Sequence, residues 1–327
     1  MDRSKLPVYI VTGFLGSGKT TLLRNALANP SAKNTALIVN EFGEVALDHH
    51  LLRTASEQIS LLGGGCVCCQ VRDDLVQEMK LLLSAHESGE IILSSVVIET
   101  TGLADPAPII FTILTDPMLQ HHFEIAGTIA TVDAVNGLEQ LERNPESIKQ
   151  VITSDKLILT KTDIASSKDI DYLIRKLKGI NPVAEIVTAI NGLLINDDLF
   201  QISRSSITLA TPNLESLQNH TGETSSFNIR FQGAIDWAPF VVWLSLLLHA
   251  HGEEVLRVKG MLDVGEGGPI VLQGVQHVIH PPEHLSEWQY EKNDSTLTFI
   301  LRRISSDEVI SSLRAFSGFF GGEVLVK

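Results

Sequence analysis

Residues Gly13-Phe14-Leu15-Gly16-Ser17-Gly18-Lys19-Thr20 restrict the possible folds of this chain more than any other stretch. They lie between a short β-rich run, Pro7 to Thr12, and a helical pattern from about Lys19 to Ala28. They fit G-x-x-x-x-G-K-[ST] in the strand–loop–helix setting that gives this pattern its meaning. Glycines such as Gly13, Gly16 and Gly18 let backbone N–H groups turn toward phosphate oxygens, and the helix N-terminus adds its positive end. Lys19 is expected to reach the β- and γ-phosphates, and the Thr20 hydroxyl to ligate Mg²⁺.

A phosphate loop of this kind needs a carboxylate on a neighbouring strand. Ser95 to Ile98 is an apolar run that ends in Glu99, with Gly102 three positions later. Glu99 is the candidate on the metal side, and the Gly102 amide the candidate sensor of a γ-phosphate. In GTPases the acid is normally Asp, so Glu99 reaches one methylene further. A third apolar strand, Lys156 to Thr160, leads into Thr160-Lys161-Thr162-Asp163. The Asp163 carboxylate can accept from N1–H and the 2-amino group of guanine, and adenine lacks that pair of donors. The Lys161 stem can lie along the ring. Asn is usual where Thr160 stands, and the exchange is expected to loosen a brace between loops.

All three cysteines, Cys66, Cys68 and Cys69, fall in Gly63-Gly64-Gly65-Cys66-Val67-Cys68-Cys69. An odd number in four residues is no disulfide framework, and a Cys66–Cys68 bridge would close a strained ring. Three thiolates suit Zn²⁺ and leave one tetrahedral position open. Glu41, a His, water or a second chain, as in a homodimer, can fill it. Cobalt, nickel and iron stay open, and so does redox sensing. Glu41 and Glu44 follow the second strand, Thr35 to Val39, where a switch loop would lie. The adjacent pairs His49-His50 and His121-His122 are less informative, because neighbouring residues rarely point at one site.

The chain has 327 residues and a net charge of −14. An acidic chain repels a nucleic-acid backbone, so nucleic acid is excluded as the expected partner. Met1 to Pro7 lacks the apolar core of a signal peptide. The longest apolar stretch, Phe240 to Leu248, is too short to span a bilayer, so no membrane role is expected. The thiols fit a reducing compartment, and the protein reads as soluble and cytoplasmic.

Strands alternate with helices up to about residue 205, which predicts an α/β domain with a mostly parallel sheet covered on both faces. Helices are expected at Val71–His86, Ala107–Leu114, Ala134–Leu141 and Asp169–Leu177. Residues 206–225 are rich in Ser, Thr, Asn, Gly and Glu and read as a linker. Residues 226–327 read as a smaller antiparallel α+β domain. Its expected order is strand, helix, three strands (Val255–Leu262, Pro269–Ile279, Thr296–Arg303) and a last helix.

Taken together these motifs resemble one family, the CobW-type P-loop GTPases that include zinc chaperones. GFLGSGKTTLL, NEFGEVALDHHLL, GGGCVCC, ETTGLADPAPI and TKTD stand in the family order. RVKGML, VLQGVQ, the Trp288 region and TLTFILRR resemble the CobW C-terminal domain. The resemblance implies a P-loop G domain and slow GTP hydrolysis coupled to delivery of Zn²⁺, or another transition metal, to a client apo-metalloprotein. It implies that Gly16, Ser17, Gly18, Lys19, Thr20 and Thr21 contact phosphates and that Lys161 and Asp163 contact the base. It further implies that Cys66, Cys68 and Cys69 hold the cargo, with Glu41 close by. The chain lacks the His-rich insertion of some members, which argues against metal storage. A nucleotide-dependent metal or redox sensor is the alternative. A small-molecule kinase is disfavoured by TKTD.

Overall fold

The computed structural model describes residues 5–39, 59–61, 68–194, 199–202, 224–288, 295–320 and 323–326. The chain divides into two compact units, Met1–Ile174 with Glu185–Ile202, and Arg175–Ala184 with Ser203–Lys327.

The first unit is built on a sheet of eight strands among the described residues. In chain order they are β1 (Leu6–Gly13), β2 (Thr35–Val39), β3 (Ile59–Leu61), β4 (Ser95–Glu99), β5 (Phe123–Asp133), β6 (Lys156–Thr160), β7 (Glu185–Ile190) and β8 (Leu193–Leu194). Their spatial order is β3-β2-β4-β1-β5-β6-β7-β8. All pairings are parallel except β7 with β8. β2 and β6 are buried at every position, as expected of strands covered on both faces. One core cluster joins Val11, Leu37, Val97, Ile129 and Ile158 from the strands to Leu22 and Leu23.

The helices are α1 (Lys19–Leu27), α2 (Cys68–Glu87), α3 (Ala107–Thr115), α4 (Leu119–His122), α5 (Gly137–Arg143), α6 (Pro145–Thr153) and α7 (Ser167–Ile180). Three helices depart from the sequence expectations. The helix expected at 134–141 begins at Gly137, because Asp133 and Asn136 hold residues 133–136 in a turn. A further helix, α6, starts on Pro145, whose fixed φ suits a first helical position. The helix expected from Val71 begins at Cys68, so the cysteine motif runs into a helix.

The position of the site follows from the strand order. From β1 the chain crosses to β2 on one side, and later strands continue from β5 on the other. Such a switch point leaves a crevice at the strand C-termini. Gly13, Glu99, Asp133 and Thr160 close β1, β4, β5 and β6 at that edge.

The second unit is an antiparallel sheet ordered β12-β11-β10-β14-β9-β15, with β13 paired to β11. Its strands are β9 (Thr224–Gln232), β10 (Val255–Leu262), β11 (Ile270–Val275), β12 (Val278–Ile279), β13 (Glu283–His284), β14 (Ser295–Arg302) and β15 (Glu323–Val326). Helices α8 (Trp237–His251) and α9 (Ser306–Phe320) complete it. Phe240, Trp243 and Leu247 of α8 share one core with Val309, Leu313 and Phe320 of α9 and with Phe231, Val258 and Phe299 of the sheet. The single strand expected over 269–279 is a tight hairpin of β11 and β12, turned at Gln276 with φ 52°.

Candidate functional site

The loop from Gly13 to Thr20 is shaped by left-handed glycines, with φ 137° at Gly13, 71° at Gly16 and 93° at Gly18. Gly13 is required for a second reason. A Cβ there would sit 2.5 Å from the Thr131 carbonyl oxygen and 2.8 Å from Ser17 Oγ. Ser17 N donates to Phe14 O at 3.1 Å, and Ser17 Oγ lies 2.6 Å from Thr131 Oγ1. α1 has Gly18 at its N-cap, no capping side chain and no acid in its first turn. Its leading amides are therefore left to an anion. Lys19 Nζ donates to Gly13 O at 2.7 Å and Phe14 O at 3.3 Å, which holds its charge across the loop. Thr21 is exposed on the first turn of α1.

Thr20 and Glu99 are 79 residues apart and meet at the mouth of the loop, where Thr20 Oγ1 donates to Glu99 Oε1 at 3.1 Å. Glu99 is buried, and its strand is in register with β1 through Val11. A hydroxyl and a carboxylate side by side are the hard oxygen donors that Mg²⁺ takes. The next loop is braced to β1. Thr100 N donates to Val11 O at 2.9 Å and Thr100 Oγ1 to Thr12 Oγ1 at 2.8 Å. Gly102 is buried against the phosphate loop, where a Cβ would stand 2.7 Å from Leu15 N.

Lys161 adopts φ 58° after β6, and Asp163 beyond it is exposed. The expected loosening at Thr160 is absent. Its Oγ1 donates to Ser17 O at 2.7 Å, so a shorter side chain still ties the two loops. Lys161 Nζ lies 2.7 Å from Asp133 Oδ2. Asp133 is 1% exposed and also accepts from Val135 N at 2.8 Å, Asn136 N at 3.2 Å and Asn136 Nδ2 at 2.9 Å. Its burial raises the pKa. Lys161, Asn136 and the two backbone donors outweigh that and hold the carboxyl below the usual carboxylate range.

Sequence reasoning missed Asp133 and Gln150, which reaches the Gly102 loop from α6. For Asp133 a signal existed, since GTIATVD is another apolar strand ending in an acid. Of the expected cargo ligands, Glu41 and Cys66 lie outside the described residues, as do Glu44 and the His49-His50 pair. Cys68 and Cys69 open α2, and their side chains lie outside the description. Among the described residues no group of three or more His, Cys, Asp or Glu is placed to hold a metal ion. The rings of His121 and His122 meet edge to face at 4.9 Å.

A glycine loop at a parallel-sheet switch point, with hydroxyl and carboxylate at its head and a K-x-D loop beside it, defines a P-loop nucleotide-binding protein. This chain belongs to the CobW/HypB/UreG family, whose nucleotide-binding domain matches residues 7–188, with the cobalamin synthesis protein CobW C-terminal domain at 224–317. It is 34% identical over 319 residues to the zinc chaperone YjiA of Escherichia coli, covering 96% of this chain and 98% of that one. It is 28% identical to the zinc-regulated GTPase metalloprotein activator 1 of Schizosaccharomyces pombe, covering 84% of this chain and 76% of that protein. The crystal structure of Zn(II)-bound YjiA GTPase from E. coli resembles it with TM-score 0.69 and 29% identity, over 96% of this chain and 99% of that one.

Proposed function

We infer that this chain is a GTPase that works as a zinc chaperone, transferring Zn²⁺ to client metalloproteins. The observation that carries the nucleotide half is the Thr20–Glu99 contact at 3.1 Å, at the mouth of the Lys19 loop. Membership of a family whose relatives are named zinc chaperones and GTPases supports the metal half.

In this reading Gly13, Gly16, Ser17, Gly18, Lys19, Thr20 and Thr21 hold the phosphates. Backbone amides and the open end of α1 face the oxygens, and Lys19 shifts its ammonium from the loop carbonyls to the β- and γ-phosphates. Thr20 and Glu99 would hold Mg²⁺, which would supply positive charge against the phosphates. The Gly102 amide faces the γ-phosphate. Asp163 reads guanine N1–H and the 2-amino group, and Lys161 lies along the base with its ammonium kept in place by Asp133. Cys66, Cys68 and Cys69 take the cargo Zn²⁺, with Glu41 as a neighbouring donor. In this reading the nucleotide site and the cysteine motif are two coupled sites, and hydrolysis alters thiolate geometry. The GTPase domain is residues 1–205 and the C-terminal domain 226–327. A reducing cytoplasm keeps the thiols available. Among the described residues no helix is long and apolar enough to cross a membrane.

The test is a titration of Zn²⁺ into metal-free protein against a chromophoric chelator, with GTP, GDP or no nucleotide. The reading expects tight binding whose affinity depends on the nucleotide. Weak binding, or equal affinity in all three states, would remove the chaperone assignment.

A further inference from the structure

We propose that Gln150 is a positioning residue for the loop facing the γ-phosphate, and that it makes α6 part of the machinery that distinguishes GTP from GDP. The proposal rests on the nucleotide reading above and adds a residue to it.

Gln150 is 1% exposed. Its Nε2 donates to Gly102 O at 3.1 Å and to Ala104 O at 3.0 Å. Carbonyls only accept, so the NH₂ end must face them, and both its protons are then used. Its Oε1 is buried and has no hydrogen-bond partner among the described residues. An apolar residue of the same volume would fill this position without that cost, so the amide is not explained by packing. What the amide alone supplies is a clamp on two carbonyls of one short loop.

The clamp is mounted on a fixed support. Just beyond α6, Asp155 N donates to Thr128 O at 2.7 Å, and Thr128 N donates back to Asp155 Oδ2 at 3.0 Å. These two bonds tie α6 to β5. One residue before Gln150, Lys149 Nζ lies 3.3 Å from Asp105 Oδ2 on the same loop. On its other side the loop approaches the phosphate loop closely, since a Cβ on Gly102 would stand 2.7 Å from Leu15 N. The carbonyl of Gly102 is therefore set from α6. The Gly102 N–H shares its rigid peptide plane with the Thr101 carbonyl, which accepts from Ala104 N at 3.1 Å, so the clamp on the Gly102 and Ala104 carbonyls restrains that amide through the turn. Release of Gln150 would let the loop rotate away from a γ-phosphate, while the contacts to the β-phosphate through Lys19 would stay in place.

The experiment uses the full chain and compares wild type with Gln150→Met, which conserves volume and removes both donors. Affinities for a non-hydrolysable GTP analogue and for GDP are measured beside kcat, KM and thermal melting. The expected result is about a tenfold loss of analogue affinity and a fall in kcat, with GDP affinity unchanged. Equal losses for both nucleotides, or none, would overturn the proposal, whatever the melting temperature does. Should Gln150→Met not fold, Gln150→Asn withdraws the donors by one methylene and must show the same selective loss. A wild-type chain that binds neither nucleotide would instead overturn the reading on which the proposal rests.

Discussion

Replacing Asp133 by Asn removes one charge and leaves the shape nearly unchanged. The Asp133 side chain is 1% exposed and receives four donors. In the variant the amide oxygen can still accept from Val135 N and Asn136 N. The amide nitrogen then faces Asn136 Nδ2 and Lys161 Nζ, two donors against a donor. A hydrogen bond to a charged group contributes about 1.5–3 kcal/mol. Lys161 is 37% exposed, so solvent screening reduces its share to about 0.5 kcal/mol. Adding the Asn136 bond, the loss comes to about 2 kcal/mol, or about 4–8 °C in melting temperature for a unit of this size. The difference has a sign in pH. The Asp133 carboxyl titrates below its ordinary value, so its stabilisation is present above about pH 4 and fades as pH falls through the folded pKa. Thermal melts of both proteins from neutral to acid pH should therefore converge at the acid end. Freed from its partner, Lys161 should also release the base, and GTP affinity should drop about tenfold. An unchanged melting temperature at neutral pH would refute the reasoning.

Gly13→Ala should lose nucleotide binding, because its Cβ would meet the Thr131 carbonyl at 2.5 Å and β1–β5 pairing prevents retreat; titration with a fluorescent GTP analogue tests this. In the second unit, a Cβ on Gly260 would stand 2.0 Å from Thr296 O on the adjacent strand. Gly260→Ala should therefore cost about 3 kcal/mol or more, visible as an early transition in a thermal melt. A melt like that of wild type would mean that β10 and β14 can part at that position.

Much of this protein was legible in the residues alone. The phosphate loop, the acid ending β4 and the TKTD segment after β6 are contiguous and carry their chemistry in local spacing. The alternation of strand and helix announced the parallel sheet, because strands buried on both faces read as largely apolar runs such as Ala36–Val39 and Leu157–Leu159. Local spacing failed where partners are distant. Nothing near Asp133 announces Lys161, 28 residues on, and nothing near Gln150 announces two carbonyls 46 and 48 residues back. The hairpin at Gln276 was missed because a continuous run of strand formers hides a turn that needs only one left-handed residue. Residue types and motif order decided which chemistry the chain can do. The strand order decided which carboxylate, amide and hydroxyl share one crevice, because only pairing across the sheet brings residues so far apart in sequence within hydrogen-bond reach.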